Sequence, residues 1–324
     1  MNNFKKVGLS ALAGSLVAFS ANAGEVTVAG SAGMFLEHIN GGAANSGKSF
    51  AMSNQLTFTG GGELENGLDV NISFVLDQGD NETDTTTGAG TAPFDSHSVS
   101  ISSDDLGTVT MHGEGGSSSA GAVDTSAAGN IWDLFMATAD EPDAAAGAAG
   151  MLVYDLPSMV DDLALQASYS PKGSGYGAST SYSLVYSGVE GLTLTYASGT
   201  DNASGTSEAT QTVMDAEYAF SSITVGYSNS EYDDESSAGD EEMTAYSIAY
   251  TVNDNISVSL GSEELSRGVA SATNVAFKGE KANITYTAGG MTLTATQANG
   301  DNVSYSTGEN EDREVWALGA SFAF

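Results

Sequence analysis

The sequence predicts an all-β protein, a 16-stranded antiparallel β-barrel that crosses a membrane with strands. Three observations carry that expectation. Short segments alternate apolar and polar residues along most of the chain. The connections between them alternate short and long. No stretch after residue 23 approaches the ~18 continuous apolar residues of a spanning helix.

Composition narrows the classes. The 324 residues include 42 acidic and 8 basic ones, a formal net charge of −34. Such a chain is repelled by phosphate backbones, which argues against a nucleic-acid partner. Cysteine is absent, which excludes a disulfide scaffold, a thiolate nucleophile and a Cys-ligated metal. Proline is scarce at 4 and glycine abundant at 40, with much Ser, Thr, Asn and Ala, a composition of strands and turns. The enzyme motifs H-E-x-x-H, G-K-[ST] and the nucleophile elbow are missing, and His38, His97 and His112 are isolated, so no enzyme is expected.

Residues 1–23 read as a secretory signal peptide. Lys5 and Lys6 precede an apolar run from Val7 to Phe19, and Ala21-Asn22-Ala23 supplies an A-x-A cleavage site. The competing reading is an anchoring helix, for which the run falls short of the ~20 residues a span needs. Residues 24–324 then form the exported body.

The strand segments of that body are 25–37, 51–60, 67–77, 95–103, 108–114, 150–156, 162–170, 178–187, 191–198, 212–220, 222–231, 243–252, 255–264, 281–287, 291–298 and 313–324. Leu68, Val70, Ile72, Phe74 and Leu76 share one face of the third, and Thr180, Tyr182, Leu184 and Tyr186 one face of the eighth. Ile256, Val258 and Leu260 do so later, as do Trp316, Leu318, Ala320, Phe322 and Phe324. Period two gives one apolar and one polar face. Short links such as 104–107, 188–191, 253–254 and 288–290 alternate with long ones at 38–50, 78–94, 115–149, 199–211, 232–242, 265–280 and 299–312. One tight rim and one loopy rim is the pattern of an up-and-down barrel. In a soluble sandwich the apolar face would turn inward. The polar face here is rarely charged, and Tyr182, Tyr186, Tyr196, Tyr218, Tyr227, Tyr246 and Tyr250 sit mostly near strand ends, where interface girdles belong. A secreted or surface β-rich binding or adhesion protein without a pore is the alternative.

The chain resembles the general-diffusion porins of Gram-negative outer membranes, the alphaproteobacterial type in particular. The resemblance rests on the start Glu25-Val26-Thr27-Val28-Ala29-Gly30-Ser31-Ala32-Gly33, the strand count, Phe324 on an alternating strand, and a longest link, 115–149, after the fifth strand. It implies a homotrimer of barrels in outer-membrane lipid and lipopolysaccharide, each a passive pore for small hydrophilic solutes. It also implies recognition of Phe324 by the barrel-insertion machinery, and an inward-folded third loop that sets pore size and field.

On that reading the constriction acids are Asp124, Asp133, Asp140, Glu141 and Asp143, preceded by Glu114. Residues 130–136 suit one short helix, with Trp132, Phe135 and Met136 on the barrel wall and Asp133 toward water. A plain surface loop with solvated acids is the other reading. Better-known porins set an arginine cluster opposite the loop; here no Lys or Arg occurs between Phe50 and Pro171. The positive candidates are His112, inward by phase though more often a structural residue, and Arg313, inward on the last strand. Arg267, Lys278 and Lys281 fall in or near the seventh long loop. A net negative lumen and a cation preference are expected. No cofactor is expected. Asp233, Asp234, Glu235 and Asp240, in an acidic sixth loop, are weak candidates for a structural Ca²⁺ or Mg²⁺, against a merely solvated face. Small outward residues, among them Gly30, Ala32 and Ala320, point to subunit contact around strands one to five and sixteen, with lipid around seven to twelve.

Overall fold

The computed structural model describes residues 17–20, 25–41, 47–77, 95–135, 150–172, 177–201, 208–234, 240–268, 275–307 and 311–324. Sixteen strands form the barrel. They are β1 (Glu25–Asn40), β2 (Gly47–Glu63), β3 (Asp69–Asp77), β4 (Ser96–Ser103), β5 (Gly107–Glu114), β6 (Met151–Asp155), β7 (Leu163–Ser170) and β8 (Ser179–Val189). The second half comprises β9 (Leu192–Asp201), β10 (Ala209–Phe220), β11 (Ile223–Asp234), β12 (Glu241–Asn253), β13 (Ile256–Arg267), β14 (Phe277–Ala288), β15 (Met291–Asp301) and β16 (Arg313–Ala323). A separate short strand, Val17–Ser20, lies beside Glu25–Val28 of β1. The proposed cleavage site at residues 21–23 lies outside the described residues.

Each strand pairs antiparallel with its neighbour, and β16 pairs with β1 from Glu314↔Asn40 to Ala323↔Ser31. At the seam Gly30 N donates to Phe324 O at 2.7 Å and Phe324 N donates to Gly30 O at 3.0 Å. A Cβ on Gly30 would lie 2.4 Å from the Phe324 ring, so this glycine seats the aromatic rather than leaving room for a subunit. Closure matters because a sheet edge in hydrocarbon would leave backbone N–H and C=O groups unpaired.

The apolar phase faces outward. Tyr182 is 53% exposed and Tyr246 55%, whereas their neighbours Ser181 and Ala245 are 5% and 0% exposed. A soluble binding protein would need the reverse. The Tyr154 hydroxyl donates to Leu106 O at the tight rim, 2.8 Å, giving its polar end a partner where the apolar wall stops. Tight turns use local chemistry: Asn253 Oδ1 accepts from Asn255 N and Ile256 N, and Ser221 takes a positive φ of 56°.

Most strands run beyond their expected ends on the loopy side. β2 starts at Gly47, β9 reaches Asp201, β10 starts at Ala209 and β14 starts at Phe277. The acids Glu231, Asp233, Asp234, Glu241 and Glu242 therefore belong to strands and not to a loop, and so do Arg267, Lys278 and Lys281. Above the membrane both faces meet water, so alternation fades while the backbone ladder continues.

Candidate functional site

The link after β5 turns back at Gly115, with φ 68°, and residues 116–135 run along the inner wall. Its partners all lie on the inward phase. Ser119 N donates to Ser168 Oγ at 3.0 Å and Ala120 N to Ser181 Oγ at 3.2 Å. Ala127 N donates to Ser228 Oγ at 2.8 Å, and the Ser228 and Ser230 hydroxyls donate to Thr125 O at 3.1 and 2.9 Å.

Inward glycines take the loop in sequence order. A Cβ on Gly199 would meet Ala120, one on Gly226 Ala127, one on Gly261 Ala128, one on Gly279 Ile131 and one on Gly300 Phe135, at 2.6–3.3 Å. These glycines lie on β9, β11, β13, β14 and β15, so the loop crosses the wall strand by strand. Flexible sites matter at one point: Gly129 and Asn130, with φ 74° and 48°, reverse the chain before a single 3₁₀ turn, Trp132–Phe135. Phe135 is buried against Phe277, ring centroids 6.0 Å apart, within a cluster that includes Ile131, Leu265 and Val315.

Charged contacts complete the seat. The Glu263 carboxylate accepts from Ser126 Oγ, Ile131 N and Trp132 N. Lys281 Nζ donates to Gly129 O at 2.5 Å and Arg313 Nη1 to Phe135 O at 2.9 Å. At the rim Arg267 Nε pairs with Glu241 Oε1 at 3.0 Å, and Lys278 with Glu264 at 3.3 Å.

A family model for Gram-negative porins matches residues 8–324. The chain belongs to the Gram-negative porins. Solved structures agree on the fold. OmpT (in-vitro folded), an outer membrane protein of Vibrio cholerae, matches at TM-score 0.67 and 14% identity over 95% of this chain and 99% of that one. A triple mutant of the Rhodopseudomonas blastica porin matches at 0.67 and 14% identity over 92% and 100%. An anion-selective porin from Comamonas acidovorans matches at 0.66 and 16% identity over 93% and 100%. No curated sequence matches. The porin is an outer-membrane barrel.

The expected site residues scatter in part. Asp124 and Asp133 are exposed on the loop of this porin. Asp133 lies within electrostatic reach of Glu37 on β1, and Asp124 within reach of Asp215 on β10. His112 takes the inward phase opposite Ser98, and Arg313 also points inward. Glu114 departs from expectation: a bulge at Gly113 sets it opposite His97, whose ring stacks on the outward Phe74, so it belongs to the outer face. Asp140, Glu141, Asp143 and Met136 lie outside the described residues. The expected helix is a single 3₁₀ turn.

The metal candidates do not converge. Asp233 and Asp234 are consecutive on β11 and take opposite faces, opposite Thr210 and Ala209. Glu235 lies outside the described residues. Among the described residues no group of three or more His, Cys, Asp or Glu side chains is placed to hold a metal.

Sequence reasoning missed Glu37, Asp215, Glu217, Glu263 and Lys281 as lumen residues. Phase alone could have found them: each has the opposite parity to the outward apolar residues of its strand, as Glu263 does to Val258 and Leu260.

Proposed function

We propose that this porin is a general-diffusion channel of the alphaproteobacterial type, passing small hydrophilic solutes and favouring cations, with no catalytic role. The observation that carries the cation preference is the balance of inward charge. Glu263 lies within electrostatic reach of Lys281, Glu241 pairs with Arg267, and Arg313 is tied to the Phe135 carbonyl. Asp124, Asp133, Glu37, Asp215 and Glu217 remain, and in a narrow low-dielectric pore such carboxylates draw cations in and turn anions away. The anion preference named for the Comamonas protein belongs to that protein, whose identity to this chain is 16%. Reversal potential in a planar bilayer under asymmetric KCl is the test. A cation-selective sign is expected, and an anion-selective sign would overturn the preference.

The working unit in this reading is a homotrimer, delivered after removal of residues 1–23 and inserted by recognition of Phe324. Ala32 and Ala320 support contact around β1–β5 and β16, although Phe50 and Met52 also face outward there. Cross-links through Tyr182 or Tyr250 would count against that interface. Outward acids such as Glu242 and Glu264 suit divalent-ion bridges to lipopolysaccharide phosphates, with no resident cofactor.

A further inference from the structure

Glu263 lies on the inward phase of β13 and is 1% exposed. Its Oε2 accepts from Ser126 Oγ at 2.6 Å and Ile131 N at 3.1 Å, and its Oε1 accepts from Trp132 N at 3.1 Å. One side chain thus gathers donors from both ends of the loop's bend. Two of them are N–H groups at the start of the 3₁₀ turn, which have no partner within the turn itself. Lys281, on the adjacent strand, holds the Gly129 carbonyl between them and lies within electrostatic reach of Glu263. Lys281 thus supplies positive charge near the buried carboxylate, and removing either group leaves the charge of the other less compensated.

We infer that Glu263 is the positioning and selectivity-determining residue of the pore: it fixes the loop on the glycine track and cancels the charge of Lys281 beside the conduction path. The inference rests on the channel function proposed above. Glu263→Gln changes position and charge together, and a disulfide that pins the loop separates the two. A glutamine offers one acceptor oxygen and turns an NH₂ toward a loop donor, so at least one of the bonds is lost. Lys281 is left as an uncancelled positive charge in the lumen.

The test uses the full folded channel in planar bilayers, with heat-modifiable migration as the check of fold. Glu263→Gln is expected to raise single-channel conductance up to about twofold by releasing one wall of the constriction, and to reduce cation preference. Because the chain has no cysteine, a disulfide can pin the loop without interference. A Cβ built at Gly226 lies 3.3 Å from Ala127 Cβ, near the ~3.5–4.5 Å a disulfide needs, once the Ser247 hydroxyl rotates aside. In Glu263→Gln carrying Ala127→Cys and Gly226→Cys, oxidation is expected to restore wild-type conductance and leave cation preference low. Recovery of both properties would overturn the charge role, and recovery of neither would overturn the positioning role. An unchanged conductance and reversal potential in folded Glu263→Gln would overturn the whole inference.

Ser126→Ala keeps the charge and removes one donor. It is expected to raise current noise without moving the reversal potential, and it decides the positioning role if Glu263→Gln does not fold. A wild-type protein that passed no current would sink the channel reading separately. Hydrogen exchange at the Ile131 and Trp132 amides would then decide the clamp, with faster exchange in the variants expected and equal exchange refuting it.

Discussion

Two stretches of the inner wall use the same pleat differently. On β9–β15 many inward positions are small, among them Gly199, Gly226, Ser228, Gly261, Gly279 and Gly300, and residues 116–135 of the loop lie over them. On β2–β4 the inward positions include Ser53, Gln55, Thr57, Ser73 and Ser98, which are half-buried, and the described part of the loop makes its hydrogen bonds elsewhere. Both stretches look alike in composition, small and polar. One is a seat and the other a water-facing lining. Small residues in a strand therefore mean close approach only when something approaches, which depends on where a distant segment lands.

The largest test of that contrast is Gly279→Leu against Ser73→Leu. A Cβ at 279 already meets Ile131 Cγ2 at 2.6 Å, so leucine must lift the loop from β14. Single-channel conductance and noise are expected to change strongly for Gly279→Leu and slightly for Ser73→Leu. Equal effects would erase the distinction between seat and lining.

Next in size is Phe135→Ala, which removes a fully buried ring from its place against Phe277. The loss is expected to approach the ~3–5 kcal/mol typical of buried Phe→Ala changes, confined to loop docking. Protease sensitivity of the loop should rise, while thermal unfolding of the barrel, held by its closed ladder, should shift little. A matching collapse of the barrel would show that the loop cluster is part of the global core.

A smaller effect is expected from Asp124→Asn with Asp133→Asn. Cation preference should fall at low salt and conductance at high salt should hold, since the Debye length is ~8 Å at physiological ionic strength and shorter above it. Smallest of all is Asp234→Asn at the rim, whose reversal potential should match wild type within error. If it matches the double variant instead, selectivity is set at the mouth rather than beside the loop.

The strands were legible because hydrocarbon enforces a two-residue period: β3, β4, β8 and β16 end within two residues of expectation. Their upper extensions were not, since Glu231-Tyr232-Asp233-Asp234 carries no apolar phase, though it pairs residue for residue with Ala209–Thr212. Phe135 and the exposed Asp133 could be read from local amphipathicity. The role of Glu263 could not, because its donors lie more than 130 positions away. Glu114 misled because one extra residue at Gly113 reverses the phase, and a bulge leaves no mark in a periodic pattern except a glycine among many.

The bond between Gly30 and Phe324 also says something about time. The first strand made and the last strand made are partners, so every intermediate before the final segment arrives carries two raw sheet edges. Neighbouring hairpins can form early, since their halves are close in sequence, but this one contact spans almost the whole chain and should come last. Until then the half-built wall must be shielded from other half-built walls, so the seam is the step at which a sticky curved sheet becomes a finished, self-contained object.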